Sequence, residues 1–448
     1  MSERNWEQQS QDSASEASHM AAAAAARRML GPLESEIIEL LQRLVRTNSV
    51  AIPPNGSETE AQKVLLNYLQ TYDMDVEMYD LEFLAQASHP YIRSNRNYAG
   101  RHNLIARLPG NGRGRSLMLS GHMDTVPPGR NKWTESPWSG MVHQGRLYGR
   151  GSCDMKGGLV AAFAVSVALK RAGQRLGGDL LCESVIDEEY GGGGGTLAAR
   201  LRGDVADACA IPEPTNLSIF RASRGGFVFD IEVRAGDPDS YFSKDEVISP
   251  AIPMGRLLGW IDGWSARRQK IEKGEAYSEF SDPAPVQVLA LEANRLDADI
   301  PWSVPTMARV RLYFQFLPHE DVAGVLQEIE QSFRSFCADD AFFSRYRPEW
   351  KAQFDPPLLG HELSLDHEWT QTLSRAAAAV SETPPSVTAA EYPCDAFLNQ
   401  RYFGMPTLIF GPRGAGAHNA NEYVEVCSVL QTAEILLAAA LQWCETTT

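Results

Sequence analysis

Four short apolar runs in this chain each break off and hand over, directly or through glycine or proline, to a histidine or an acid. Ser116–Ser120 leads into Gly121 and His122. Asp179–Ile186 leads into Asp187, Glu188 and Glu189. Ala208–Ile211 leads into Pro212 and Glu213, and Thr407–Phe410 leads into a glycine-rich segment that carries His418. Runs of this length, bounded by turn residues and separated by helical patterns, read as strands of a largely parallel sheet covered by helices. In an open sheet of that kind, ligands sit just past the carboxyl ends of the strands. The feature that fixes the fold therefore also says where to look for chemistry.

The helical patterns fall between the strands. Leu33 to Arg46 places Ile37, Leu40, Leu41 and Leu44 on one face. Glu58–Tyr72 and Lys156–Ala172 follow, and Glu368–Val380 and Ser428–Trp443 lie near the end. Between Thr215 and Pro356 the pattern changes to strand, helix, strand, strand, helix, strand: Phe227–Val233, Pro253–Gln269, Val286–Glu292, Ala308–Phe316, Glu320–Phe336 and Glu349–Phe354. That order suggests a ferredoxin-like α+β layer. The expected organisation is a disordered tail over 1–30, rich in Ser, Gln and Glu at its start, and a catalytic α/β domain in two segments, 31–216 and 358–448. The second segment follows an inserted domain over 217–357. A chain of 448 residues has room for this.

The net charge of -16 disfavours nucleic acid or an anionic membrane as partner and leaves a small molecule. Seven cysteines, an odd number with no CxxC pair, argue against a disulfide framework and for a reducing, cytoplasmic setting. No continuous apolar run of spanning length stands out, and the polar, acidic start is unlike a secretory signal.

Each strand end allows a bland reading and a chemical one. His122 can be a metal ligand with Asp124 accepting from its other ring nitrogen, or part of an incidental surface loop. Asp154, in Gly149-Arg-Gly151-Ser-Cys-Asp154-Met-Lys-Gly157-Gly158, can be a ligand or a helix N-cap; the phosphate-loop pattern is absent. Glu188 and Glu189 point to opposite sides of an extended backbone, so one can face a metal and the other an attacking water. Glu213, held between Pro212 and Pro214, can be both ligand and rigid junction. Two histidines with several carboxylates and no cysteine suit a pair of divalent ions, zinc first and cobalt or manganese next.

Taken in order, the segments Ser120-Gly-His122-Met-Asp124-Thr-Val-Pro, Tyr148-Gly-Arg-Gly-Ser-Cys-Asp154-Met-Lys-Gly-Gly, Asp187-Glu-Glu189, Glu213-Pro-Thr and Ala417-His418-Asn-Ala-Asn-Glu422-Tyr-Val resemble the metallopeptidase family of acetylornithine deacetylase, succinyl-diaminopimelate desuccinylase, aminoacylase and carboxypeptidase G. The likeness runs from about residue 33 over most of the chain. It implies a zinc-peptidase-like catalytic domain with an inserted lid that often dimerises, so a homodimer through the lid is expected. It implies that Asp154 bridges two ions, that His122 and Glu189 complete one site, and that Glu213 and His418 complete the other. Glu188 would be the general base and Asp124 would orient His122. The implied reaction is hydrolysis of an amide in a small N-acyl amino acid or dipeptide.

The lid departs from the pattern. The family places a histidine soon after the first lid strand, but residues 234–250 contain none; Tyr241 and Lys244 are the candidates to replace it. His319 reads as a surface residue. Tyr313 and Gln315 stand where relatives have Asp-x-Arg, and the usual asparagine is missing from 300–305. Losing an arginine there removes a bidentate carboxylate clamp. Trp302, Tyr313 and Phe314 suit either an apolar pocket or plain core packing. Two other readings follow: a biosynthetic enzyme that forms or rearranges an amide-type bond on the same centre, and a binding protein that has lost catalysis.

Overall fold

The computed structural model describes residues 3–235, 249–293, 304–381 and 384–445. The chain divides into two compact units. One holds residues 1–222, 363–390 and 394–448; the other holds 223–362 with the short return 391–393.

The larger unit is built on a mixed sheet. Its strands run in the order Ile219–Ser223, Thr407–Ile409, Cys209–Ile211, Leu117–His122, Leu180–Val185, His102–Leu108 and Asp75–Asp80, with Val387–Ala390 also pairing with the first. The four middle strands, from Thr407–Ile409 to Leu180–Val185, are parallel to one another. Ile219–Ser223 pairs antiparallel with Thr407–Ile409, as do His102–Leu108 with Leu180–Val185 and with Asp75–Asp80. The mostly parallel sheet expected from the sequence thus holds for the centre alone. The physical reason is burial. Every residue of Leu117–His122, Cys209–Ile211 and Thr407–Ile409 is buried, as parallel strands covered on both faces require. Asp75–Asp80 alternates between exposed and half-buried residues, as an edge strand should.

Helix Gly157–Ala172 is buried almost throughout, with Leu159, Val160, Phe163, Val165, Val167 and Leu169 out of water. Each such side chain stabilises the fold by about 1.5–3 kcal/mol. It packs against the sheet, Glu34–Arg46 and Val426–Trp443. Gly158 has to be glycine, because a Cβ there would lie 1.7 Å from the Pro212 carbonyl oxygen. That approach sets the start of the helix, and the Asp154 loop before it, against the segment carrying Glu213. Ser152–Ala172 and Val426–Trp443 are long and apolar enough to span a membrane by composition, which corrects the expected absence of such a run. Their apolar windows are 94% and 67% buried inside the protein, so both are core helices. All seven cysteines are free.

The described residues of the expected tail, from Glu3 on, are helical. Glu3–Leu30 is one helix, and Ala22, Ala26 and Leu30, four residues apart, are buried in the main core. The helix packs on Val426–Trp443 and Glu368–Val380, and Gln442 Nε2 donates to the Ser18 carbonyl oxygen at 3.2 Å. Alanine is the strongest helix former and leaves room for close helix contact, which outweighs the polar composition of the start.

In the smaller unit an antiparallel sheet runs in the order Val286–Glu292, Met307–Phe316, Gly225–Arg234, Glu349–Ala352. With helices Ala251–Arg268 and Val322–Asp339 this is the ferredoxin-like order. Phe227, Phe229, Ile231 and Val233, every second residue of one strand, enter a core with Met254, Leu257, Ile261, Trp264, Ile329 and Phe333. Trp350 stacks on Phe229 at 3.7 Å between centroids.

Candidate metal centre

The larger unit gathers all the ligand candidates at the carboxyl ends of its parallel strands. His122 closes Leu117–His122 and is 1% exposed. Glu188 and Glu189 follow Leu180–Val185 after Asp187, which bends the chain with φ +66°. Glu213 lies just past Cys209–Ile211 and is buried. Asp154 sits in the turn before helix Gly157–Ala172, after Gly151 at φ +82°. A Cβ on Gly151 would come within 2.6 Å of Thr125 Cγ2, so only glycine fits there. His418 lies in the loop between the paired strands Gly414–Ala415 and Tyr423–Glu425.

The distances divide the donors into two sets that share Asp154. His122 Nε2 is 3.2 Å from Asp154 Oδ1 and 3.5 Å from Glu213 Oε1. His418 Nε2 is 3.1 Å from Asp154 Oδ2 and 2.9 Å from Glu189 Oε2. Asp154 lies between the two imidazoles, and the neighbours of each differ from the expected partners. His122 goes with Glu213 and His418 with Glu189. Strand order does not decide it, because Leu117–His122 lies between Leu180–Val185 and Cys209–Ile211; the placement of the Asp154 turn, with Oδ1 toward His122 and Oδ2 toward His418, does. Glu188 Oε2 is 3.9 Å from His122 Nε2. Two triads, His122 with Glu188 and Glu213, and His122 with Asp154 and Glu189, hold donor atoms within 4.8 Å of one another.

The same crowding sets the protonation of the bare site. Burial lowers the His418 pKa, but its hydrogen bonds to Asp154 and Glu189 outweigh this and push it up to about 11. Burial opposes the charged form of His122 too, while Glu213 and Asp154 carry it well above the usual imidazole value. Burial alone would raise Asp154; the two imidazoles hold it well below the ordinary carboxylate range. Burial pushes Glu213 up to about 7. Burial, then the charge of Asp395, raises Glu188 well above its normal value. Protons here occupy the places of cations: two imidazoles and three carboxylates converge on a space that favours positive charge. Divalent ions fit that donor set, and binding them would release the imidazole protons.

Asp124 does more than expected and does it differently. His122 Nδ1 lies 2.9 Å from the backbone oxygen of Asp124, while the Asp124 carboxylate is 3.6 Å away. The carbonyl fixes the ring. The carboxylate, fully buried, instead accepts from the backbone N–H groups of Glu188 at 3.3 Å and Glu189 at 3.2 Å.

Other supports had no role assigned from the sequence. Asp187 accepts from Tyr98 Oη at 2.8 Å and from Gly194 N at 3.2 Å, and pairs with Arg96 at 3.4 Å. Arg101 is held by Glu58 through two bonds of 2.6 and 3.0 Å, both residues buried. Glu422 binds the Asp154 loop. Two of them carried a visible signal: Asp187 opens the segment that presents Glu188 and Glu189, and Glu422 is an acid inside the motif that presents His418.

Residues 118–442 match the model of peptidase family M20/M25/M40. The chain belongs to this family. The N-formyl-4-amino-5-aminomethyl-2-methylpyrimidine deformylase of Halalkalibacterium halodurans is 24% identical over 92% of this chain and 95% of its own length. The succinyl-diaminopimelate desuccinylase of Gluconacetobacter diazotrophicus is 27% identical over 91% of this chain and 97% of its own. Among solved structures, human carnosine dipeptidase 1 superposes with a TM-score of 0.74 at 17% identity, covering 95% of this chain and 100% of that one. The fold is that of these peptidases, and the chain is an amidohydrolase of the M20 family.

In the smaller unit of this M20 protein, Gln315 is committed to its own neighbours. It donates to Tyr313 Oη and to the Glu391 carbonyl, each at 2.9 Å, and accepts from Arg224 Nη1 at 2.8 Å. Phe314 is fully buried in the unit's core, and His319 is exposed. Tyr241, Lys244 and Trp302 lie outside the described residues.

Proposed function

We propose that this chain is a dinuclear hydrolase that cleaves the amide of a small N-acyl amine, N-acyl amino acid or dipeptide. The observation that carries the reading is the shared carboxylate: Asp154 turns one oxygen to His122 with Glu213 and the other to His418 with Glu189. His122, Asp154 and Glu213 would hold one ion, and His418, Asp154 and Glu189 the other. Zinc is the first choice, with cobalt or manganese next. Such ions polarise the scissile carbonyl and lower the pKa of bound water. Glu188, beside His122 with a carboxyl group raised by burial, takes the proton of the attacking water. As the C–N bond breaks it returns that proton to the leaving amine, so a carboxylic acid and an amine are released and Glu188 is restored. Asp124 keeps Glu188 and Glu189 in register through their backbone N–H groups.

The named relatives act on a formyl and a succinyl amide, so a removable N-acyl group is the shared chemistry favoured here. Gln315, tied up with Tyr313 and Arg224, supplies no bidentate clamp, which favours a substrate unlike those with a carboxylate held at that place. It also sustains the second reading, an enzyme that forms or rearranges an amide-type bond with the same residues. We place the protein in the cytoplasm, as its free thiols suggest. The smaller unit serves as lid and pairs with a second copy. Its edge strand Val286–Glu292 leaves Val288, Leu289 and Leu291 about half exposed, as an interface would require.

The test is a panel of N-formyl, N-acetyl and N-succinyl amino acids and dipeptides, assayed with wild type and Glu188→Gln. The variant should keep both ions and lose hydrolysis by at least a hundredfold. Unchanged turnover would remove Glu188 from the reaction, and a wild type that binds no divalent ion would end the reading.

A further inference from the structure

A carboxylate outside the ligand set is wired into the centre more heavily than any ligand. Glu422 is completely buried. Its Oε1 accepts from the backbone N–H of Cys153 at 2.9 Å and of Asp154 at 3.1 Å; its Oε2 accepts from Gly151 N at 3.1 Å and from Arg150 Nη1. The backbone joins in, with Gly149 N donating to the Glu422 carbonyl at 3.0 Å. Arg150, 1% exposed, spans back to the Asn419 carbonyl at 3.3 Å. One side chain, four residues beyond His418, thus holds the turn that presents Asp154, 268 residues earlier in the chain.

We propose that Glu422 is a positioning residue that sets the bridging carboxylate for both ions at once. The inference rests on the two-metal reading and adds a residue to it. Gly151, Cys153 and Asp154 donate to Glu422 from one turn; Ser152 N turns instead to the Gly149 carbonyl, and Asp154 itself departs from helical geometry with φ -117° and ψ 98°. Three N–H groups aimed at one carboxylate fix that turn in space. An anionic acceptor makes each bond stronger than a neutral one would be. Because Asp154 is the shared donor, a shift of its backbone moves Oδ1 and Oδ2 together. Loss of Glu422 must then weaken both sites in parallel. Asp124 differs: it supports His122 and the Glu188–Glu189 backbone and leaves the Asp154 turn alone.

The parallel loss separates positioning from general damage. Glu422→Gln keeps the shape, removes the charge beside Arg150 and turns one acceptor into a donor facing Gly151 N or Asp154 N. Glu183→Gln is the matched control, because Glu183 forms an equally buried ion pair with Arg200 and touches none of the ligands. The metal-free full chain is titrated with Zn²⁺ by calorimetry and with Co²⁺ by its visible absorption, and thermal midpoints are recorded alongside. Glu422→Gln is expected to weaken both Zn²⁺ sites by about 10–100-fold, the range for lost support of a ligand, and to blunt both Co²⁺ bands. Glu183→Gln is expected to lower the thermal midpoint while both affinities stay within twofold of wild type. If Glu422→Gln does not fold, Glu422→Asp, which keeps the charge but withdraws the carboxylate by one methylene, is titrated with the same expectation. The proposal is overturned if the variant binds both ions as wild type does, if one site alone weakens, or if Glu183→Gln weakens them as much. A wild type that binds neither ion overturns the two-metal reading and this inference with it.

Discussion

Replacing Asp124 with Asn tests how far the ring-and-loop support matters to turnover. The carboxylate has two oxygens, and each holds one backbone N–H, Glu188 at 3.3 Å and Glu189 at 3.2 Å. An amide of the same shape has one acceptor, so one N–H must face an NH₂ group. Losing a hydrogen bond to a charged, buried acceptor costs about 1.5–3 kcal/mol. His122 is spared, since its Nδ1 bond runs to the Asp124 backbone oxygen at 2.9 Å, which survives the substitution. If that cost falls on the arrangement that carries Glu188, kcat/KM drops by about 10–150-fold at 1.36 kcal/mol per decade. Most of the loss should appear in kcat, because the base and not the substrate contacts is displaced. The assay compares kcat and KM on the best substrate of the amide panel, at saturating Zn²⁺, with bound metal measured by atomic absorption. A variant that carries both ions and turns over within twofold of wild type would refute the assignment of the Asp124 carboxylate to the base loop. A loss confined to KM would refute it as well.

Two further outcomes follow from buried and capping charges. Arg101→Met should cost about 3–5 kcal/mol, because it strands the fully buried Glu58 carboxylate. The double variant Arg101→Met, Glu58→Leu should regain most of that loss. Urea unfolding measures both, and a double variant no more stable than the single one would show that the pair is not the source of the cost. In the smaller unit Asp340 accepts from Phe342 N and Phe343 N at the start of a short helix. The Arg256 guanidinium, then those backbone bonds, lower its pKa to about 2. A depressed carboxylate pKa stabilises the fold fully above the unfolded value near 3.9, and that contribution fades as pH falls toward 2. Asp340→Ala should therefore cost about 1 kcal/mol at pH 7, the usual worth of an N-cap with an exposed partner. Thermal midpoints of the two proteins should converge near pH 2; a gap that stays constant from pH 7 to pH 2 would rule out the charge as its origin.

The proposed ligands were legible and most of their supports were not, for one physical reason. His122 closes a short buried strand, and Glu189, Glu213 and His418 each come after one, so an apolar run that breaks off announces them. Nothing so local says which ligand meets which. Strand Leu117–His122 has Leu180–Val185 on one side and Cys209–Ile211 on the other. His122 is therefore adjacent to the Glu188–Glu189 turn and to Glu213 alike, and only the placement of the Asp154 turn pairs it with Glu213. The supports are further removed. Glu58 meets Arg101 across 43 residues, and Glu422 meets Arg150 across 272. In a sequence Glu58 and Arg101 read as two more solvated charges, the default for such residues, and Glu422, though it stands inside a motif, shows no partner there. The polar start of helix Glu3–Leu30 misled by the same default, because its buried stripe shows only once Val426–Trp443 lies against it. A charge becomes a support only where distant segments close around it and exclude water. In this chain those closures lie directly behind the proposed metal ligands. The least legible residues are thus the ones whose removal should disturb the centre while leaving every ligand in place.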